Sequence, residues 1–147
     1  MGVHNLAEYV AYHQQKLREQ STRSASGVSS APPKKYGGVN ILRSKKEYET
    51  SVVGGSEEEV AVIDFFATWC GPCKMIAPVV EKMSNEEPYS SKVKFFKIDV
   101  DNTPDVAQEL GIRAMPTFVI FKGGKEVGQV VGANANDLKK KIDSVLA

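Results

Sequence analysis

Cys70 and Cys73, three positions apart in Trp69-Cys70-Gly71-Pro72-Cys73, are the only thiols in the chain. Before them Val60–Phe66 is nearly continuously apolar, as expected of a strand buried on both faces. After them Met75, Ile76, Val79, Val80 and Met83 recur at helical spacing. The pair therefore falls where a strand hands over to a helix. A helix N-terminus presents unpaired N–H groups and partial positive charge, both of which favour a thiolate over a thiol. That matters because an ordinary cysteine, titrating near ~8.5, is only about 3% thiolate at neutral pH. Cys70, nearer the loop, is expected to be the exposed, attacking sulfur. Cys73, one turn on, is placed to close a disulfide with it. Pro72 lies in the first turn, where its missing donor costs little, and it stiffens the dithiol toward the reduced state.

Two structural cysteines, or half of a metal site, are the alternatives. A zinc centre needs further cysteine or histidine ligands, and the only histidines, His4 and His13, lie far off near the N-terminus. An iron–sulfur cluster fails on the same count. No metal is expected, and thiol redox chemistry is the better reading. Asp64 stands in the middle of Val62-Ile63-Asp64-Phe65-Phe66, where a charge is costly unless it is neutralised or functional. A satisfied strand aspartate is the bland alternative. Pattern alone makes Lys97 an exposed strand charge, while a strand start is the bland alternative for Pro116 and a core aromatic for Trp69.

The elements that must hold these residues follow from the rest of the chain. Its 147 residues are 41% hydrophobic and 25% charged, with net charge +1. That suits one globular domain with a tail. It argues against a general nucleic-acid binder, which would carry a basic excess. The apolar runs fall far short of the ~20 residues of a membrane-spanning helix. Residues 1–38 carry five basic and two acidic side chains, residues 39–147 fourteen and sixteen. In the first stretch Leu6, Tyr9, Val10, His13 and Leu17 trace one helix face over about residues 5–19, and Asn5 with Glu8 fits a capping box. The Ser/Gly/Pro-rich residues 21–33 read as a flexible linker.

From Val39 the pattern is that of an α/β domain. A strand at Val39–Leu42 leads to a helix capped by Ser44 and ending near Gly54-Gly55. The helix from Cys70 to Met83 contains Pro78, which should bend it. A strand follows at Val93–Val100, then a short helix opened by Thr103-Pro104. Phe118–Phe121 and Glu126–Val131 form a hairpin through Gly123-Gly124, and a last helix starts at Asn134 or Asn136. The order β-α-β-α-β-α-β-β-α predicts a central mixed sheet flanked by helices on both faces.

Val62 through Lys74, with Trp69-Cys70-Gly71-Pro72-Cys73 inside it, resembles the active-site segment of the thioredoxin family, of the eukaryotic type. The similarity continues through Ala114-Met115-Pro116-Thr117 and Val131-Gly132-Ala133 and covers about residues 39–147. Phe66 stands where some bacterial members have a second tryptophan. The resemblance implies the thioredoxin fold and a protein-disulfide reductase that cycles between dithiol and disulfide. In it Cys70 is the nucleophile, Cys73 the resolving thiol and Asp64 a buried carboxyl that moves the proton. Lys97 pairs with Asp64, and Pro116 follows a cis peptide bond opposite Cys70. Trp69, Gly71, Pro72, Met115, Gly132 and Ala133 form a flat apolar docking surface, with Met115 backbone groups pairing to extended substrate. The implied partners are an NADPH-dependent thioredoxin reductase and disulfide-bearing proteins such as peroxiredoxins and reductases. No Gly-x-Gly-x-x-Gly occurs, so no dinucleotide or other cofactor is expected on the chain itself.

An oxidant or isomerase is the rival within redox chemistry, although such relatives usually carry histidine between the cysteines. A redox-independent docking subunit is the rival from another class. Residues 1–38 leave a choice between a mitochondrial presequence, a helix that docks on the domain or a second copy, and a tail with only transient helix. Glu8 and Glu19 disfavour the presequence, and the absence of an apolar core disfavours a signal peptide. A cytoplasmic monomer is the expectation.

Overall fold

The computed structural model describes residues 37–147. The helix and linker expected within residues 1–36 lie outside the described residues. Five strands make one sheet in the order β1-β3-β2-β4-β5. They are β1 (Val39–Ile41), β2 (Val60–Phe66), β3 (Val93–Asp99), β4 (Thr117–Lys122) and β5 (Lys125–Val131). β1 and β2 run parallel to β3 on either side of it, while β4 is antiparallel to β2 and β5 to β4. The helices are α1 (Lys45–Tyr48), continued by a wider π-helical turn over Glu49–Val53, α2 (Gly71–Ser84), α3 (Tyr89–Lys92), α4 (Pro104–Glu109) and α5 (Ala135–Leu146).

Local chemistry explains most boundaries. Ser44 Oγ accepts the Glu47 N–H at 3.1 Å and starts α1. Asn134 does the same for Asp137 at 3.1 Å, which settles the start of α5. α3 has no counterpart in the sequence reading, because four residues are too few to show a helical period. Pro78 is accommodated inside α2, which continues to Ser84. Among the described residues no helix is long and apolar enough to cross a membrane.

Strand alternation divides the core in two. Val60 and Val62 of β2, Val93 and Phe95 of β3, and Phe118 and Ile120 of β4 pack with Ile76, Val80, Leu138 and Ile142 from α2 and α5. Ala61, Ile63 and Phe65 pack with Phe96, Ile98 and Val119 against Tyr48, Val52, Val106 and Ala107 on the other side. Helices thus cover both faces. By the same alternation Asp64 and Lys97 fall on the α2 side, and strand register sets them beside each other.

The hairpin turn needs its glycines. Gly123 and Gly124 have φ of 61° and 78°, the two positive values of a two-residue turn that matches strand twist. A Cβ on Gly124 would also collide with the Val53 carbonyl oxygen. Gly124→Ala is expected to cost about 2 kcal/mol or more, combining left-handed strain with that clash. A urea unfolding midpoint equal to that of the parent chain would contradict this.

Candidate functional site

Three segments meet at one end of the sheet. β2 ends at Phe66, and the chain turns through Ala67, Thr68 and Trp69 to Cys70, which caps α2. Cys70 has extended backbone, and its N–H donates to Ala67 O at 3.1 Å. Its Sγ accepts the Cys73 N–H at 3.2 Å, taking up one of the orphan donors of the first helical turn. The two sulfurs are joined as a disulfide, with Cα atoms 5.3 Å apart. A donor aimed at the Cys70 sulfur, together with the helix dipole, is an arrangement that holds a thiolate once the bond is reduced.

The second segment is the turn before β4. The Met115–Pro116 peptide bond is cis. The Met115 carbonyl oxygen lies 3.7 Å from Cys70 Sγ, so this turn faces the reactive sulfur. Thr117 Oγ1 donates to Ala114 O at 2.6 Å and braces it. The third segment follows β5, where Gly132 adopts φ of 102° and donates its N–H to Pro116 O at 2.9 Å. That bond ties Gly132 and Ala133 to the proline turn, in a backbone conformation that favours glycine.

Exposure differs from the simple expectation of an open attacking thiol. Cys70 is 6% exposed and Cys73 3%. Both pack with Ala67, and Phe66, Val100 and Met115 close around them. Little of the Cys70 surface is therefore open to a partner in the disulfide form. Trp69 is the opposite of a core aromatic at 67% exposed, and Gly71 and Pro72 are exposed beside it. Its Nε1 donates to Asp101 Oδ2 at 3.0 Å.

Asp64 lies beneath α2, 6% exposed, and its Oδ1 has no hydrogen-bond partner among the described residues. Burial pushes its pKa up to about 7, while the charge of Lys97 pulls the other way. Lys97 acts through its field. Its Nζ stands 5.8 Å from the centroid of the Phe66 ring, a cation–π position. Asp64 and Lys97 line a cavity of about 260 Å³ together with Val39, Ala77, Pro78, Val80 and Glu81. Cys73 precedes Ala77 by one turn of the same helix, α2.

The expected site residues among the described ones thus fall on two features, the segments that meet at Cys70 and Cys73 and the cavity lined by Asp64 and Lys97. Asp101 was missed. It contacts Trp69 across 32 positions of sequence, and in Asp99-Val100-Asp101-Asn102 it reads only as a loop residue. Glu81 was missed for a similar reason, since helix periodicity places it on a solvated face.

The family model described as Thioredoxin matches residues 39–144. Thioredoxin-2 of Saccharomyces cerevisiae is 50% identical over 106 residues, covering 72% of this chain and 97% of that protein. The solved thioredoxin of Malassezia sympodialis is 48% identical with a TM-score of 0.68, covering 75% and 95%. A structure solved for the thiol resolving mechanism of a yeast mitochondrial 1-Cys peroxiredoxin via the glutathione and thioredoxin systems also matches. It is 39% identical with a TM-score of 0.65, covering 76% and 99%. With the paired sulfurs at the head of α2 and this match along nearly the whole domain, the chain belongs to the thioredoxin family of thiol–disulfide oxidoreductases.

Proposed function

We propose that the chain reduces protein disulfides by a two-step exchange in which Cys70 attacks and Cys73 resolves. The observation that carries this assignment is the position of Cys70 at the N-cap of α2, with the Cys73 N–H on its sulfur and the Met115–Pro116 turn opposite. The Cys70 thiolate attacks one sulfur of the substrate disulfide, forming a mixed disulfide and releasing a substrate thiolate. Cys73, giving its proton to Asp64, then attacks Cys70 Sγ and expels the second substrate thiolate. The substrate gains two electrons and the chain ends as its own disulfide. Lys97 keeps Asp64 from being too weak an acid for that role.

Trp69, Gly71, Pro72, Met115, Gly132 and Ala133 form the surface on which substrate settles, with Pro116 holding the Met115 backbone toward it. Thiol–disulfide chemistry of this family implies a reductase on one side and disulfide proteins on the other. We assign the recharging step to an NADPH-dependent flavoprotein, thioredoxin reductase, and peroxiredoxins to the substrate class, which the peroxiredoxin-related structure supports. The domain division at residues 38 and 39 agrees with the composition shift. We place the chain in the cytoplasm, with mitochondria the alternative if residues 1–38 serve as a presequence. A mature N-terminus between residues 20 and 40, measured by mass spectrometry on protein from its native cell, would decide for import.

The test is insulin reduction followed by turbidity, driven first by dithiothreitol and then by NADPH with a thioredoxin reductase. Both are expected to support turnover. Activity with dithiothreitol alone would remove the flavoprotein from the scheme, and none with either would overturn the assignment.

A further inference from the structure

Asp101 takes no part in the exchange chemistry, yet it holds the aromatic residue beside the nucleophile. One carboxylate oxygen accepts the Trp69 indole N–H at 3.0 Å. The loop carrying it is fixed from below. Buried Asp99 accepts the Asp101 N–H at 2.9 Å and the Asn102 amide at 3.3 Å, and the Val100 N–H donates to Phe66 O at 3.0 Å. Asp101 itself is exposed, so its charge stands at the rim of the surface that a substrate approaches.

We propose that Asp101 determines specificity, orienting Trp69 and selecting disulfide proteins whose cystine is flanked by cationic side chains. The inference rests on the reductase reading above. A carboxylate at the rim attracts Lys and Arg and repels Asp and Glu, acting on encounter and weak binding more than on the exchange itself. The two roles separate chemically. Asparagine keeps an oxygen to receive the indole N–H but lacks the charge, whereas alanine lacks both.

The experiment uses the full chain, dithiothreitol for recycling, and two peptide disulfides that differ only in Lys or Glu beside the cystine. The readout is the ratio of their kcat/KM values, so fixed contributions from the other surface charges cancel when variants are compared. Asp101→Asn is expected to lower the Lys-over-Glu ratio about two- to fivefold, the scale of an exposed ion pair, mainly through KM. At about 1 M salt, where screening acts within about 3 Å, the parent ratio should fall to that of the variant. Trp69 is the only tryptophan, so its emission reports the clamp. Emission should be kept in Asp101→Asn and shifted in Asp101→Ala, compared in the same redox state.

A purely structural role would change both peptides alike, and an unchanged ratio in Asp101→Asn overturns charge selection. Unshifted emission in Asp101→Ala overturns the orienting role. A parent chain that reduced neither peptide would bring down the reductase reading and this proposal together. An active chain without the ratio change brings down the proposal alone.

Discussion

Cys70→Ser is expected to abolish disulfide reduction, while Cys73→Ser carries out the first half of the reaction and stops. The two sulfurs share one bond but not one environment. Cys70 caps the helix, receives the Cys73 N–H on its sulfur and faces the Met115 carbonyl oxygen. Cys73 lies inside the first turn and is 3% exposed, against 6% for Cys70. A serine hydroxyl at position 70 is a far weaker nucleophile toward sulfur than a thiolate. The loss should be on the order of 10⁴-fold or more, the scale on which removal of a covalent nucleophile acts. With serine at position 73, attack by Cys70 proceeds but no internal thiol displaces the substrate. A mixed disulfide therefore accumulates at one substrate per chain, readable by intact-mass spectrometry and released by dithiothreitol. Adducts on Cys73 in the Cys70→Ser chain, with none on Cys70 in the other, would reverse the assignment.

Much of this asymmetry could be read before any coordinates. The run Val60–Phe66 and the periodicity from Ile76 to Met83 placed the two cysteines at a strand-to-helix junction, because burial on both sides of a strand and on one side of a helix leaves distinct apolar patterns. The cap at Ser44 was legible for a local reason, a side-chain oxygen within reach of its own helix start. The same signal left two candidates, Asn134 and Asn136, of which Asn134 is the cap. Asp64 drew notice as a charge where the strand admits none. Its pairing with Lys97 was less legible, since nothing local says which strand lies alongside. Parallel register between β2 and β3, closed over some thirty residues, brings them together. The burial of Cys70 and the Trp69–Asp101 bond belong to the same class. Both arise where segments distant in sequence converge, and no single segment carries the signal. α3 escaped because four residues hold barely one turn.

Asp64→Asn is expected to change stability and mechanism together, and in opposite directions. A carboxyl whose pKa rises from 3.8 to about 7 on folding binds its proton more tightly in the folded state. Below pH 3.8 the group is protonated in both states and contributes no pH dependence. As pH rises toward 7 the unfolded chain ionises and gains, while the folded chain still holds the proton. Above pH 7 the folded state carries a buried charge, and the accumulated cost reaches about 4 kcal/mol. The parent chain should therefore lose stability relative to Asp64→Asn between about pH 4 and pH 8. Any fixed cost of burying an amide shifts that difference without changing its slope. Denaturant unfolding of both chains across this range measures it, and a difference constant with pH would contradict the burial of an ionisable Asp64.

Catalysis should move the other way, because the same carboxyl is the acceptor proposed for the Cys73 proton. Without it, resolution of the mixed disulfide should slow about 100-fold near neutral pH, within the range of general-base effects. The deficit should narrow as pH rises and the thiol loses its proton to solvent without help from the carboxylate. Stopped-flow resolution rates that were equal in the two chains at pH 7 would leave Asp64 a destabilising residue with no chemical return. A buried acid that costs stability at working pH and speeds only the second step is what a proton acceptor under α2 must be. The instability and the rate then have one origin, the withdrawal of Asp64 from water.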